Sequence, residues 1–265
     1  MATSTPRIEA PSRRLALSEL PRAVIEFSTL PFAAPILNSA PEGDGHPVLV
    51  LPGFIADDGS TVLLRRYLDD LGYLTHGWEL GSNLGPRSVG WTGERLSERV
   101  EGIYEATGRR VSLIGQSLGG VMSRETARRL PHAIRQVITL GSPFTGNPKA
   151  STVWRLYERL SGQKLDTGRS AQQMSLSSLP PPVPSTSIFS KSDGVVAWQN
   201  CIEPEAEHTD NIEVCSSHCG MGVHPAVLYA IADRLAQAEG AWRRFDRSGW
   251  RSAFYPCSGH NLFPH

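Results

Sequence analysis

The stretch of the sequence that most constrains the fold is LIGQSLGGVM, residues 113–122, in which glycines crowd around one serine. Gly115, Gly119 and Gly120 all stand within three residues of Ser117. Glycine has no Cβ and is therefore favoured where two backbone segments approach closely. We expect a tight turn from a strand into a helix, with the Ser117 hydroxyl raised above the sheet. A turn that served helix packing alone would explain the glycines and leave the serine arbitrary.

Patterns typical of buried strands alternate with helical patterns on both sides of this turn. The predicted strands are PVLVLPGF, YLTHGWEL, RVSLIG, IRQVITLGSP, STSIFSKSDG and NIEVCSS. The predicted helices are STVLLRRYLDDLG with Ser60 as N-cap, GERLSERVEGIYEATG, SLGGVMSRETARRL and HPAVLYAIADRLAQAEG. Such alternation predicts an α/β fold, in which a mostly parallel sheet has helices on both faces.

Changes in pattern divide the chain into segments. Residues 1–46 are rich in proline and read as a loose N-terminal extension, and residues 47–240 hold the alternating domain. Within that domain, residues 144–184 are too long for an ordinary connection and predict a small helical cap. Residues 241–265 form a C-terminal tail without periodicity, whose structure the sequence leaves open.

The charge balance excludes several classes of partner. Lys+Arg and Asp+Glu are equal at 26 each, so no net field recruits nucleic acid or anionic lipid, and a neutral or apolar ligand fits better. The N-terminus lacks the charge-then-apolar order of a secretory signal, and no run is long enough to span a membrane, which predicts a cytoplasmic chain. The amphipathic segment RAVIEFSTL either packs against its own domain or makes a weak contact with a membrane surface.

Cysteine and histidine are concentrated in the second half of the chain, which raises the question of a metal site. The four cysteines show no paired C-x-x-C spacing, and the intervals to nearby histidines do not match the usual zinc-ligand pairs. We therefore expect neither a metal nor an organic cofactor.

The serine at the glycine-rich turn lies in a motif of nucleophilic catalysis. Residues 115–119, GQSLG, match G-x-S-x-G between a predicted strand and a predicted helix, which is the context that this motif requires. A serine hydroxyl becomes a nucleophile only when a base removes its proton and a third group orients that base. The downstream sequence must therefore supply both partners.

Together, LVLPGF, LIGQSLGG, SKSDGVV and SSHCGMG make residues 47–238 similar to the α/β-hydrolase superfamily, specifically to bacterial lipases and carboxylesterases. In that family the triad follows the order Ser, acid, His. The resemblance implies Asp193, just after a predicted strand, as the acid. Asp210 is the alternative, but it begins a strand and would lie at the wrong edge of the sheet.

Two histidines compete for the role of base. His218 follows the last predicted strand by a few residues, whereas His224 precedes Pro225 at the start of the closing helix, where a histidine needs no function. We predict His218. Either histidine taken alone would also suit a structural role in the core.

The resemblance also implies an oxyanion hole built from two backbone N–H groups. The matching residues are Leu118, directly after the nucleophile, and Phe54, in the loop behind the first central strand. The segment PGFIADDG departs from the HGGG run of some esterases. Asn83, in GSNLGP, receives no role beyond a turn.

The activity implied by the resemblance is two-step hydrolysis of a neutral, fairly apolar ester through an acyl-enzyme. The same triad would also serve a thioester hydrolase or an acyltransferase, and a non-catalytic relative used for binding is the third alternative. An apolar face on VWRLYERL suggests a lid over an acyl pocket, although such a stripe is more often plain packing. The predicted pocket residues are Phe54, Phe144, Trp154 and Tyr157.

Two cysteines follow the predicted acid and base. Cys219 is adjacent to His218 and Cys201 lies eight residues after Asp193, so the loops of one triad would bring both thiols to the same edge of the sheet. A disulfide there would tie the two loops together. A reducing compartment would instead leave both as buried thiols.

Overall fold

The computed structural model describes residues 8–147, 149–165 and 177–256. Within them, six strands form one sheet in which every neighbouring pair is parallel. The strands are β1 (Pro47–Leu51), β2 (Leu74–Gly77), β3 (Val111–Gln116), β4 (Ile134–Leu140), β5 (Ser185–Phe189) and β6 (Thr209–Glu213), in the order β2-β1-β3-β4-β5-β6. Each one overlaps a run predicted as a strand, although β6 begins at Thr209, two residues before the predicted run, and the α/β architecture is confirmed.

Helices cover both faces of this sheet. They are α1 (Arg13–Ser28), α2 (Leu30–Leu37), α3 (Val62–Asp70), α4 (Pro86–Val89), α5 (Glu94–Thr107), α6 (Leu118–Arg129), α7 (Trp154–Ser161) and α8 (Pro225–Leu235). Side chains of a strand alternate between its two faces, so β1 packs Val48 and Val50 with α2, α3 and α8, and Leu49 and Leu51 with α5 and α6. A strand buried on both faces must be apolar throughout, as PVLVL is.

The N-terminal extension differs from the expectation of a loose segment. Residues 13–37 form α1 and α2, and α1 continues through Pro21 in its interior. The amphipathic segment does pack against its own domain, but through its charged side: Arg22 and Glu26 form hydrogen bonds to distant loops, whereas Val24 and Ile25 are exposed. Polar contacts to distant loops hold α1 in place, and a local pattern of apolar residues cannot reveal them.

The start of α3 also differs from the prediction. A short 3-10 turn, Asp58–Thr61, precedes the helix, and the helix begins at Val62 with Thr61 as its N-cap. Ser60 lies inside that turn and donates its hydroxyl to the Asp57 carbonyl, so it does not cap α3. Asp57 provides the side-chain cap of the 3-10 turn instead, by accepting from the Gly59 N–H.

The C-terminal tail packs onto the same core over its described part. Phe245 and Tyr255 are buried beside α8, and the Tyr255 hydroxyl donates to the Ala226 carbonyl at 2.7 Å. In the predicted cap, α7 is helical as expected, while residues 166–176 of that segment lie outside the described residues. A membrane-spanning helix needs about 20 mostly apolar residues, and none of the helices in the described ranges meets this requirement.

Candidate active site

Ser117 occupies a backbone conformation that L-residues rarely adopt. Its φ is +51° at the junction of β3 and α6, where a non-glycine residue is strained. A Cβ on Gly115 would lie 2.4 Å from the Gly119 backbone, and a Cβ on Gly119 would lie 2.6 Å from the Pro52 carbonyl oxygen. The glycines around the serine are therefore required by close backbone approach, as the sequence motif predicts.

The turn at Ser117 lies beside the loops that follow β4, β5 and β6. The Ser117 N–H donates to the Leu140 carbonyl at 2.8 Å, and the side-chain amide of Gln116 donates to the His218 carbonyl at 2.9 Å. At Gly141, with φ of +54°, a Cβ would lie 3.1 Å from both the Asp193 Oδ2 and the His218 Nδ1. The carboxyl ends of neighbouring parallel strands thus bring the three predicted triad residues to one edge of the sheet.

Asp193 and His218 form a buried pair. The His218 Nδ1 lies 2.6 Å from the Asp193 Oδ2, and the other carboxylate oxygen accepts from the N–H groups of Val195 at 2.8 Å and Val196 at 2.7 Å. Burial lowers the pKa of His218, but the charge and hydrogen bond of Asp193, together with the charge of Glu19, outweigh it and raise this pKa above the usual 6.5. The environment therefore favours a protonated imidazole.

The rejected alternatives lie in other surroundings. His224 is the N-cap of α8, and its Nδ1 accepts from the Ala226 N–H at 3.2 Å. Asp210 belongs to β6, where it accepts from the Phe245 N–H at 2.7 Å and pairs with Arg247 at 3.1 Å. Both side chains have structural partners away from the Asp193–His218 pair.

The two predicted oxyanion donors have free N–H groups. Within the described residues, neither the N–H of Phe54 nor that of Leu118 donates to an acceptor. Leu118 is the first residue of α6, where N–H groups have no partner inside the helix and carry partial positive charge. Both groups are available to an oxyanion beside Ser117, and this role for them stays a prediction.

Asn83 has a structural role that the sequence did not reveal. It is fully buried, and its side-chain amide donates to the Pro52 carbonyl at 2.8 Å. Its backbone carbonyl accepts from the Ile55 N–H at 2.8 Å, and its N–H donates to the Ala56 carbonyl at 2.8 Å. Ile55 is held at a φ of +62°. Asn83 thus fixes the loop that presents the Phe54 N–H, and the pairing of two loops leaves no local signal in either segment.

A cavity of about 540 Å³ opens at Ser117. Predominantly apolar side chains line it, among them three of the predicted pocket residues: Phe54, Trp154 and Tyr157. The rings of Phe54 and Tyr157 meet edge to face, 5.4 Å apart, and the Tyr157 hydroxyl donates to the Gln163 side chain at 2.6 Å. The apolar face of α7 therefore forms a wall of the cavity, whereas Leu156 on the same helix is exposed.

Phe144 does not line this cavity, contrary to the prediction. Its side chain is fully buried, and the guanidinium of Arg124 stacks over its ring at 3.8 Å. Arg124 in turn forms a buried ion pair with Glu203. Phe144 is thus occupied by a cation–π contact in the interior, and the neighbouring Pro143 lines the cavity in its place.

Cys201 and Cys219 are free thiols, so the alternative of a disulfide between them is wrong. Cys201 is buried in a cluster with Phe189, Val196 and Ile202, whereas Cys219 is exposed beside the base loop. The two loops do meet at the Asp193–His218 contact, but one thiol is in the interior and the other is at the surface. The described ranges also contain no group of three His, Cys, Asp or Glu side chains that could hold a metal ion.

Comparisons with known proteins relate this architecture to lipases. No family model matches the chain, and no curated protein matches it in sequence. The structure is similar to lipase B of Aspergillus fumigatus over 77% of this chain and 55% of that one, with a TM-score of 0.59 and 17% identity. It is similar to the mature lipase BlEst2 of Bacillus licheniformis over 76% of this chain and 95% of that one, with a TM-score of 0.54 and 17% identity.

The chain thus spans about half the length of the Aspergillus lipase and nearly all of the mature Bacillus lipase. Identities this low relate the proteins in architecture alone. The parallel sheet with helices on both faces agrees with that relationship. This protein has the α/β-hydrolase fold of these lipases.

Proposed function

We propose that this protein is a serine hydrolase that cleaves carboxylic esters of neutral, fairly apolar substrates through an acyl-enzyme. The observation that carries the proposal is Ser117, a non-glycine residue held at a positive φ beside a 540 Å³ cavity. A structural serine gains nothing from this strained conformation, whereas a nucleophile gains access to the substrate. The lipases that share the fold agree with ester hydrolysis.

Each residue of the predicted triad has a defined role in the proposed reaction. Ser117 Oγ attacks the ester carbonyl, and the His218 Nε2 takes the hydroxyl proton and then gives it to the leaving alcohol. Asp193 accepts a hydrogen bond from the His218 Nδ1, which directs Nε2 towards the serine and stabilises the imidazolium. In the second half, His218 takes a proton from water, which attacks the acyl carbonyl. His218 then returns the proton to Ser117 Oγ as the acid is released.

The N–H groups of Phe54 and Leu118 would stabilise the tetrahedral intermediate. Both lack an acceptor among the described residues, and one such donor typically lowers the activation barrier by about 3 kcal/mol. The positive end of the α6 dipole adds to the same effect.

The cavity supports an apolar acyl or alcohol group. Aromatic and aliphatic side chains form most of its wall, and its volume lies in the range of small-molecule sites. Charged side chains also line part of it, namely Glu125, Arg129 and Lys164. Charges of both signs do not favour an ionic substrate, which supports a neutral ester.

A covalent probe tests the proposal most directly. A fluorophosphonate should label the wild-type protein, and it should not label Ser117→Ala, because the probe reacts only with an activated serine. Hydrolysis of short p-nitrophenyl esters should be lost in the same variant while circular dichroism stays unchanged. Equal labelling of both proteins would exclude Ser117 as the nucleophile.

A further inference from the structure

Helix α1 contacts both loops of the predicted acid–base pair, although neither the fold nor the triad requires a helix there. Glu19 is buried, with only 4% of the residue exposed. One of its oxygens accepts from the Gly194 N–H at 2.7 Å, and the other accepts from the Cys219 N–H at 3.0 Å. Gly194 directly follows Asp193, and Cys219 directly follows His218. A single carboxylate therefore joins the residues after the acid and the base.

Two further side chains on the same face of α1 hold the residues before the acid and the base. Arg22 donates to the Ser192 carbonyl at 2.7 Å and to its hydroxyl at 3.0 Å. Glu26 accepts from the Ser217 N–H at 2.6 Å and from its hydroxyl at 2.8 Å. Spacings of three and four residues place these three side chains on one side of the helix. Both neighbours of Asp193 and both neighbours of His218 are thus bound to α1.

The packing of α1 against these loops is too close for ordinary side chains. A Cβ on Gly194 would lie 2.5 Å from the Leu15 backbone carbonyl. At Gly220, a Cβ would overlap the Glu26 carboxylate. Glycine at both positions allows the helix backbone and its carboxylates to reach the loops directly. A helix that merely covered the surface would not need such an approach.

We propose that Glu19, assisted by Arg22 and Glu26, is a positioning residue for the Asp193–His218 pair, and that α1 is a strap that aligns the two loops for catalysis. This inference rests on the proposed function for its kinetic consequence. Its structural content, that α1 fixes the geometry and charge around His218, does not depend on the identity of the substrate.

The charges around His218 give the strap an electrostatic effect as well. Asp193 in the acid loop and Glu19 in α1 are the charged groups that raise the pKa of His218. Arg22 lies 3.8 Å from the Glu19 carboxylate on the same helix, and Cys219 follows His218 in the base loop. Burial, followed by the charge of Glu19, raises the pKa of Cys219 to about 11, so this thiol is neutral near pH 7. Glu26 lies farther along α1, where its charge acts on Cys219 and on His224. Glu19 is therefore the second negative charge, after Asp193, that stabilises the imidazolium.

Glu19→Gln tests the strap, because glutamine has nearly the same shape but loses the charge and one of the two acceptors. We expect kcat for p-nitrophenyl esters to fall about tenfold to hundredfold with little change in KM, since the acid and base lose alignment. The acidic limb of the pH profile should move to lower pH, because loss of a negative charge lowers the pKa of His218. Glu98→Gln, an exposed position on α5, is the matched control and should leave both quantities unchanged.

Glu19→Asp separates position from charge. Aspartate keeps the negative charge but is one methylene shorter, so kcat should fall while the acidic limb stays close to that of the wild type. A folded Glu19→Gln protein with kcat within twofold of wild type and an unmoved pH profile would overturn the proposal. If Glu19→Gln does not fold, Glu26→Gln tests the same strap through Ser217, and wild-type kinetics in that variant would count equally against it.

NMR distinguishes failure of the strap from failure of the proposed hydrolase function. If the wild-type protein neither labels with a fluorophosphonate nor cleaves esters, the proposed function is wrong, and the strap is then judged on His218 alone. Glu19→Gln should lower the imidazole pKa of His218 and speed hydrogen exchange at the Gly194 and Cys219 amides. An unchanged titration with unchanged exchange would overturn the strap in either case.

Discussion

Among the described residues, two Asp–His pairs lie near serines at the two ends of β3. At the amino edge, Asp44 pairs with His46, whose Nε2 lies 2.8 Å from the Oγ of Ser112 near the start of β3. At the carboxyl edge, Asp193 pairs with His218 near Ser117, which directly follows β3. A search for Asp, His and Ser in contact would select the first group, where the hydrogen-bonded chain is complete.

Access separates the two groups. Ser112 and His46 are fully buried, and Ser112 lies inside β3 between the neighbouring strands β1 and β4, where a substrate cannot reach its hydroxyl. Ser117 has a positive φ, lines a cavity and stands beside two N–H groups without acceptors among the described residues. Contact between an acid, a base and a serine is therefore insufficient to indicate a catalytic site. The backbone around the serine decides whether a substrate can reach the hydroxyl.

Charge separates them as well. Asp44 is shared with Arg109 at 2.9 Å and Arg135 at 2.8 Å, whereas Asp193 accepts from two neutral backbone N–H groups in addition to His218. Burial, together with the charge of Arg135, outweighs the hydrogen bond that Asp44 accepts and lowers the pKa of His46 to about 4. A general base must hold a proton during catalysis. Of these two histidines, only His218 has surroundings that stabilise the protonated imidazole.

The largest expected difference is between the two serines. Ser117→Ala should reduce ester hydrolysis about a thousandfold or more and leave the free energy of unfolding close to wild type. Ser112→Ala should keep activity within a few-fold of wild type but destabilise the fold by about 1 kcal/mol, because the buried His46 loses a partner. Initial rates and urea unfolding of both variants provide the measurement. Loss of activity in Ser112→Ala with Ser117→Ala active would reverse the assignment of the two groups.

The histidines should rank in the same way. His218→Ala should be nearly as damaging to kcat as Ser117→Ala, because the serine keeps its proton without a base. His224→Ala should have a mild effect on rate and cost about 1 kcal/mol of stability through loss of the α8 N-cap. Steady-state kinetics and thermal unfolding compare the two variants. A larger kinetic effect of His224→Ala than of His218→Ala would show that His218 is not the base.

The pKa values of the two imidazoles should be shifted in opposite directions, which titration can measure. We expect NMR to place the pKa of His46 at about 4 and that of His218 above 6.5. Between about pH 6.5 and 4 the unfolded state binds a proton at residue 46 before the folded state does, so His46 contributes a loss of stability as pH falls. His218 contributes stability below pH 6.5 that is lost as pH rises through its folded pKa.

The pH dependence of catalysis should follow His218. Because the base must be neutral in the free enzyme, kcat/KM should rise with pH to a plateau, with its midpoint above 6.5. His46→Gln should leave this midpoint unmoved while it alters stability. A midpoint near 4 in the wild-type protein would contradict the assignment of the base.

The smallest expected effect concerns the cavity, which lies beside Ser117 and not beside Ser112. Replacing Trp154 and Tyr157 by Ser should change the ratio of rates on short and long p-nitrophenyl esters severalfold, because both rings line the wall. The melting temperature should change less than the selectivity. A collapse of melting temperature with unchanged selectivity would show that α7 belongs to the core and does not serve as a lid.

Much of the architecture can be predicted from short stretches of the sequence. Apolar runs such as PVLVL and the glycines around Ser117 reflect steric demands within a few residues, so they predicted the strands and the turn correctly. Contacts between distant segments leave no such pattern. The pairing of Asn83 with the Phe54 loop, the cation–π contact of Phe144 and the bonds of Glu19 were therefore found only in the structure.

The contacts of α1 also set an order of events during folding. Glu19 is separated by 175 residues from Gly194 and by 200 residues from Cys219. A chain that emerges from the ribosome amino terminus first makes α1 long before its partners exist, and closing so large a loop is entropically costly. The helix can make these contacts only after the loops that follow β5 and β6 have been synthesised. A nascent chain stalled before residue 194 would therefore carry α1 and Ser117 without either backbone partner of Glu19.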